Sequence, residues 1–212
     1  AIHEIRNPLT SISGFVQLLK TRAAREKDKT AIHYCTLITE EINHIDNILA
    51  DFLTLAKPQE MKFAKINLTQ IIADVLKLLY GEAVLSQIAI IPKLPAEPLW
   101  VQGNGEKIKE ALINICRNAF QAMAGAGTLT IAADADAARI RVTVADTGPG
   151  IAETVIGEIF APFFTTKETG TGLGLAICQR IMREHNGEIS VASQPGRGAT
   201  FTLTFPRLPD AD

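Results

Sequence analysis

The sequence predicts an α+β chain in two parts, an N-terminal antiparallel helical hairpin over residues 1–58 and an α/β sandwich over residues 59–212. Three observations predict it. Apolar residues recur at alternating spacings of 3 and 4 through two long stretches, the rhythm of helices buried along one stripe. Pro58 stops the second stretch. Beyond it the pattern changes to strand-length apolar runs between shorter helical periods, with glycine-rich turns, as expected of helices packed on one face of a mixed sheet.

The first stripe is Ile2, Ile5, Leu9, Ile12, Val16 and Leu19, and its helix is expected to run to about Ala24. A charged break follows from Arg25 to Lys29. The second stripe, Cys35, Ile38, Ile42, Ile45, Leu49, Phe52 and Ala56, makes a helix of ~40 Å. Two helices with one apolar seam each cannot cover their own surface, so a homodimer that pairs two hairpins into a four-helix bundle is expected. With Ile2 at heptad position a, His3 faces outward, and Asn7 lies one turn further on the same face. Such a histidine is ordinarily a solvated surface residue. Its neighbours supply a second reading, because Glu4 can accept from one ring nitrogen and leave the other as a nucleophile. Pro8 lacks the N–H that would bond the Glu4 carbonyl, so a bend is expected just after His3.

In the second part, Lys57 to Ile66 reads as a linker and a short strand. Asn67 with Gln70 resembles a capping box, opening a helix through Leu68, Ile71, Ile72, Val75 and Leu79. Strands are expected at Ile88–Ile91 and Leu99–Gln102, separated by the proline-rich turn Pro92–Pro98. A cap at Asn104 starts a helix to about Ala124, with Ile108, Ala111, Leu112, Ile115 and Ala119 facing inward. Thr128–Ala133 and Arg139–Ala145 form a hairpin, followed by a glycine-punctuated region from Asp146 to Gly174. A helix to about Glu184 stops at Gly187, and the strands Glu188–Ala192 and Ala199–Phe205 are joined by a turn at Pro195–Gly198. All strands are expected in one mixed sheet.

With 212 residues, 47% hydrophobic, and a net charge of -2, the chain can bury a sizeable core. Near-neutral charge without a basic stripe argues against nucleic acid as a partner. No apolar run approaches the ~18–20 residues of a membrane span and there is no signal peptide, so a cytoplasmic location without membrane contact by this stretch is expected. Because the chain opens on Ala1 within a helical pattern, sensor segments or a membrane anchor are expected upstream. Cys35, Cys116 and Cys178 show no ligand spacing and read as buried free thiols of a reducing compartment. His33, His44 and His185 read as surface or capping residues.

Four clusters carry chemistry in the second part. Asn114 and Asn118, one helical turn apart, share a face, and a carboxamide oxygen is a hard ligand suited to Mg²⁺; helix-surface amides are the alternative. Asp146-Thr147-Gly148-Pro149-Gly150 follows a strand, where a carboxylate can accept from an exocyclic amine and glycines admit a flat ring; a plain turn is the alternative. Phe160, Phe163 and Phe164 precede Thr165, Thr166 and Lys167, and the aromatics either anchor a mobile lid with Lys167 near phosphate or form a satellite core. Gly170-Thr171-Gly172-Leu173-Gly174 runs straight into a helix, so backbone N–H groups and a helix N-terminus converge on an anion site. No Lys follows these glycines as a Walker loop requires, and no early βαβ unit supports a dinucleotide fold.

The stretch from His3, the Asn114 and Asn118 pair, Asp146–Gly150, Phe160–Phe164 and Gly170–Gly174 resemble, in order and spacing, the H, N, G1, F and G2 boxes of bacterial sensor histidine kinases. The opening His-Glu-Ile-Arg-Asn-Pro-Leu-Thr looks most like sporulation-type kinases. The resemblance spans essentially the whole chain. It implies a dimerisation and phosphotransfer hairpin joined to a Bergerat-type ATP-binding domain, shared with gyrase, heat-shock protein 90 chaperones and MutL-type ATPases. By the same resemblance His3 is the phospho-acceptor, Glu4 its orienting or general-base partner, and Asn7 the residue that orients water for dephosphorylating the regulator. Asn118 is the Mg²⁺ ligand with Asn114 nearby, Asp146 reads adenine with Gly148 and Gly150 beside it, and Gly170, Gly172 and Gly174 form the phosphate-side lid. Two positions depart from the family pattern, Gln121 where many relatives carry a charged residue and Asn104 in place of a frequent Asp cap.

The implied reaction moves the γ-phosphoryl of Mg-ATP to His3 and then to an aspartate in the receiver domain of a response regulator, a chemistry that asks mainly for positioning and charge stabilisation. Small inhibitor proteins at the base of the hairpin bundle are a further implied partner. Residues from about Ala152 to Gly170 are expected to be disordered without nucleotide. Two rival readings remain: an ATP-hydrolysing clamp, which needs Asn114 as metal ligand and Glu110 as base, and a catalytically silent dimeric module.

Overall fold

The computed structural model describes residues 2–56, 62–167 and 170–208. The chain divides into two compact units, Ala1–Pro58 and Gln59–Asp212. The first holds helix α1 (Ile2–Glu26) and helix α2 (Lys29–Ala56). Their connection is tighter than the charge run suggests. Lys27 takes a left-handed φ of 57°, the Asp28 N–H bonds the Ala23 carbonyl at 2.9 Å, and the Asp28 carboxylate caps α2 by accepting from the Ala31 N–H at 2.9 Å. Pro8 lies inside α1, which is one unbroken helix on both sides of it.

Among the described residues one heptad row per helix is buried within the hairpin. Val16 and Ala23 on α1 and Cys35 and Ile42 on α2 are buried, with Leu9 packed against them. The alternate rows, Ile5, Ile12 and Leu19 on α1 and Ile38 and Phe52 on α2, are exposed, as are Phe15 and Leu18. The two apolar residues per heptad therefore divide between two jobs, and the hairpin alone satisfies one.

The second unit runs β1 (Ala64–Asn67), α3 (Leu68–Leu85), β2 (Ile88–Lys93), β3 (Trp100–Gly103), α4 (Gly105–Met123), β4 (Gly127–Ala135), β5 (Arg139–Asp146), α5 (Gly174–Glu184), β6 (Glu188–Ser193) and β7 (Ala199–Pro206). A five-stranded sheet has the order β2-β4-β5-β7-β6, with β2 and β4 parallel and the other neighbours antiparallel. The expected single sheet is corrected here, because β1 and β3 pair only with each other, antiparallel, in a separate two-stranded sheet. The physical reason lies in Pro95 and Pro98, which lack an N–H and lead the chain away from the sheet before β3 begins, whereas Pro92 stays within the edge strand β2 opposite Ile131. Each strand of the small sheet then runs into a helix cap. Asn67 accepts from the Thr69 N–H at 3.0 Å and Asn104 from the Lys107 N–H at 3.1 Å. Gln70 does not close the box at Asn67 but donates to Asp74 instead.

Alternation places one face of the large sheet under the helices. Ile140, Val142 and Val144 of β5 and Phe201, Leu203 and Phe205 of β7 are buried, matched by Ile108, Leu112 and Ile115 of α4 and Ile177, Cys178 and Ile181 of α5. Of the surface and capping readings of His185 the second holds: it is the C-cap of α5, and its side chain is buried. Its Nδ1–H donates to the Ile181 carbonyl at 2.7 Å while Nε2 accepts from the Asn104 N–H at 2.9 Å, so one imidazole ties the end of α5 to the start of α4. Nothing in its sequence neighbourhood signals this.

Candidate functional site

The inward row of β5 ends on a carboxylate, since Asp146 continues Ile140, Val142 and Val144 and is 9% exposed. A buried carboxylate is costly unless hydrogen-bonded. Here Oδ1 accepts from the Gly148 N–H at 2.8 Å and the Ala199 N–H at 3.3 Å, while Oδ2 has no partner among the described residues. The loop after Asp146 is held by the β6–β7 turn. The Gly196 N–H donates to the Pro149 carbonyl at 2.7 Å, the Ile151 N–H to Ser193 Oγ at 2.8 Å, and Ser193 Oγ–H to the Gly198 carbonyl at 2.7 Å. Gly198 has φ 74°, and a Cβ there would collide with the Asp146 carbonyl. Sequence reasoning missed Ser193 and Gly198 as supports of Asp146; the unused glycine pair of the Pro195–Gly198 turn was the available signal.

The Asp146 loop lies beside the C-terminal end of α4, where Thr147 Oγ1 approaches Met123 Sδ at 3.8 Å. One turn earlier on the same helix come Asn118 and Gln121, and before them Asn114. The N-terminus of α5 lies over this pair, for a Cβ at Gly174 would sit 3.9 Å from Asn114 Cγ and 4.0 Å from Asn118 Nδ2. Among the described residues no side chain caps α5, so its first-turn N–H groups remain donors to an anion. Leu173 itself is fully buried, and its N–H bonds Thr171 Oγ1 at 3.3 Å; it anchors the helix start and does not line the site with its side chain.

The segment before α5 is built from successive turns, including Val155 N–H to the Ala152 carbonyl at 3.1 Å and Ala161 N–H to the Glu158 carbonyl at 2.8 Å. Of the stretch from about Ala152 to Gly170 expected to be disordered without nucleotide, residues 168–169 lie outside the described residues. Ile159, not a phenylalanine, is its buried residue; Phe160 and Phe164 are half-buried and Phe163 is 58% exposed, so the three aromatics form no closed satellite core. Phe163 is fixed through its backbone, its N–H donating to the Gly172 carbonyl at 2.9 Å. Gly172 has φ 67°, and a Cβ would lie 2.7 Å from the Phe163 carbonyl oxygen, so only glycine permits the close crossing.

Lys167 crosses from this segment to α4. Its N–H bonds Thr165 Oγ1 at 3.1 Å, its carbonyl accepts from Gly170, and its ammonium donates to Asn118 Oδ1 at 3.0 Å and Gln121 Oε1 at 2.6 Å. Burial pushes its pKa below the usual lysine value. Thr166 is exposed on the turn. Glu110, the base a hydrolysing clamp would need, is instead engaged by Lys107 Nζ at 2.8 Å. Burial lifts the Cys116 thiol to about 12 and pushes Cys178 up as well, so neither is a nucleophile at neutral pH. Among the described residues no group of three or more His, Cys, Asp or Glu could hold a metal ion. In the first unit, His3 and Glu4 stand in the first turn of α1, their side chains outside the described residues, and Asn7 is exposed.

A strand-end carboxylate facing an amide-bearing helix and an uncapped helix start fits one class of protein, and residues 103–209 match it, the histidine kinase-, DNA gyrase B-, and HSP90-like ATPases. Residues 1–60 match the His Kinase A (phospho-acceptor) domain, and the chain belongs to the histidine kinases. It is 39% identical over 210 residues to sporulation kinase C of Bacillus subtilis (strain 168), covering 99% of this chain and 48% of that protein. The chain thus spans about half the length of that relative, and less of several others. Full-length ShkA, solved with AMPPNP, superposes with a TM-score of 0.84 at 28% identity, over 100% of this chain and 45% of that one. ThkA solved with the response regulator TrrA gives 0.74 at 32% identity, over 98% of this chain and 60% of that one.

Proposed function

We propose that this chain is the catalytic core of a sensor histidine kinase, which phosphorylates His3 from Mg-ATP and passes the phosphoryl group to an aspartate in the receiver domain of a response regulator. One observation carries the reading: Asn118, Lys167 and the uncapped start of α5 converge within reach of a single anion, beside a buried carboxylate with one oxygen unused. Asp146 Oδ2 accepts from the exocyclic amine of adenine, and Gly148 and Gly150 let the backbone follow the ring. The N–H groups of α5 at Gly174 and the backbone from Gly170 to Gly172 face the phosphates, with Thr165, Thr166 and Thr171 shaping the strap.

Magnesium fits the residues present, because Asn118 Oδ1 already accepts from a cation and carboxamide oxygens are hard donors. Bound there with Asn114 nearby, it would neutralise phosphate charge. His3 supplies the nucleophile: one ring nitrogen forms the N–P bond as the γ-phosphorus parts from its bridging oxygen and ADP leaves, while Glu4 orients the ring through the other nitrogen. Asn7, exposed one turn further along α1, orients water for hydrolysis of the phosphorylated regulator.

The exposed heptad row of Ile5, Ile12 and Leu19 favours a homodimeric four-helix bundle, and a regulator or a small inhibitor protein would dock on that bundle. Incubation with γ-labelled Mg-ATP tests the core reading. Label that is acid-labile, base-stable and absent from His3→Gln is the expected result; label that survives the substitution overturns the assignment of His3.

A further inference from the structure

Nucleotide binding accounts for Asn114, Asn118 and the glycine strap, but not for the bridge from Lys167 to both Asn118 and Gln121. Its ammonium sits on the very oxygen, Asn118 Oδ1, that the proposed function gives to magnesium. Its second partner, Gln121 Oε1 at 2.6 Å, lies one turn further along α4. An ammonium has three donors, and two are used here. Two amide oxygens converging on one cation is a small cation site already filled by the protein itself.

We propose that Lys167 is a placeholder cation: without nucleotide it holds the Asn118 and Gln121 carboxamides in their ligating orientation, and it yields Asn118 to magnesium on nucleotide binding while Gln121 retains it beside the phosphates. The inference rests on the nucleotide reading above. A divalent ion and an ammonium on one carboxamide oxygen repel each other strongly, so both do not occupy Asn118 together. Gln121 is the residue that makes the exchange local. Neutral and adjacent, it keeps the lysine within reach of a phosphate oxygen through the third donor, where a lysine acts as a point charge. The Lys167 backbone does not need to move far, since Thr165 and Gly170 fix it on both sides. The role is one of positioning, and it couples the segment from Phe160 to Lys167 to α4 before any ligand arrives.

The test uses the full chain, its Lys167→Met and Gln121→Leu variants, and two readouts. In chelator without nucleotide, hydrogen exchange of the backbone from Phe160 to Lys167 should be about tenfold faster in both variants than in the native chain, because each removes one end of the bridge. With ADP as the probe, the Mg²⁺ concentration that half-saturates the gain in affinity should fall by about threefold to tenfold in Lys167→Met, since magnesium no longer displaces an ammonium. Thermal unfolding confirms that each variant folds, with Lys167→Gln replacing Lys167→Met if that one does not. Native ADP binding with exchange unchanged in the variants overturns the placeholder and leaves the nucleotide site standing. A lowered Mg²⁺ requirement in Lys167→Met with native exchange in Gln121→Leu reduces Lys167 to a general positive charge and also overturns it. If the native chain binds no ADP with or without Mg²⁺, the nucleotide reading falls and takes this inference with it.

Discussion

The two units of this chain solve the burial problem in opposite ways. The α/β unit closes its core with its own elements, so that β5, β7, α4 and α5 bury whole apolar faces and the polar groups left inside, Asp146 and His185, are hydrogen-bonded. The hairpin spends one heptad row on itself and leaves the other, with Phe15 and Leu18, facing out. Stability in the first case is a property of the chain; in the second it is deferred to a partner. A hairpin of this kind is suited to assembly, and the self-contained unit to holding a ligand in fixed geometry.

Breaking the deferred surface should therefore have the largest effect. Burying a side chain such as Ile12 contributes about 1.5–3 kcal/mol, and a symmetric bundle counts it twice, so Ile12→Glu should cost about 3–6 kcal/mol of dimer stability. Sedimentation should show a monomer while Mg-ADP binding by the α/β unit stays at its native level. A variant that remains dimeric would place the interface elsewhere.

Next in size is the strut inside the α/β unit. His185→Leu leaves the Asn104 N–H without its acceptor, while the Ile181 carbonyl keeps the backbone N–H of residue 185 at 3.1 Å, so the loss is about 1–3 kcal/mol from one orphaned group. Calorimetry should show the α/β transition moved down and the hairpin transition in place. Both moving together would mean that the two units unfold as one.

Smaller in free energy but specific to the ligand is Asp146→Asn. The amide oxygen can still accept from Gly148 and Ala199, so the fold should persist, while the loss of the charged acceptor weakens adenine nucleotides by about 10–100-fold. Titration with ATP and GTP checks it. Equal weakening of both would argue against adenine reading at this carboxylate.

Much of this was legible in the sequence, because the cues are local. The heptad rows, the Asn67 and Asn104 caps, the β4–β5 hairpin and the Gly187 stop depend on residues close in the chain, and each element formed at or near its expected place. The Asn114 and Asn118 register and the run into α5 were legible for the same reason. What could not be read depends on partners far apart in sequence. His185 was legible as a surface or capping residue, and it does cap α5, but its bond to Asn104 was hidden because that partner lies 81 positions away, and the support of Asp146 comes from Ala199, 53 positions on. Lys167 reached Asn118 across 49 residues. The division of the apolar stripe into a buried and an exposed row was also hidden, since periodicity marks a face without saying which partner covers it.

The smallest expected effect isolates the electrostatics of the α/β unit from everything that the hairpin does. Asp136, in the β4–β5 turn, accepts from the Ala138 and Arg139 N–H groups at 2.9 Å each and from Arg141 Nη1 at 2.8 Å. The backbone donor of Ala138 first, then Arg141, hold its carboxyl at about 2, below the usual 3.8. A depressed carboxylate pKa means that the unfolded chain takes up the proton first as pH falls, so the stabilisation is complete above the usual value and is lost on the way down to the folded one. Asp136→Asn should accordingly lower the Tm of the α/β transition most at neutral pH, with the gap to the native chain closing between about pH 4 and pH 2. Salt should shrink only the Arg141 part, because the pair is solvent-exposed and screened while the two backbone donors act at contact. A gap that is constant with pH would mean that the turn geometry, and not the charge, is what Asp136 supplies; a shift of the hairpin transition as well would contradict the independence of the two units.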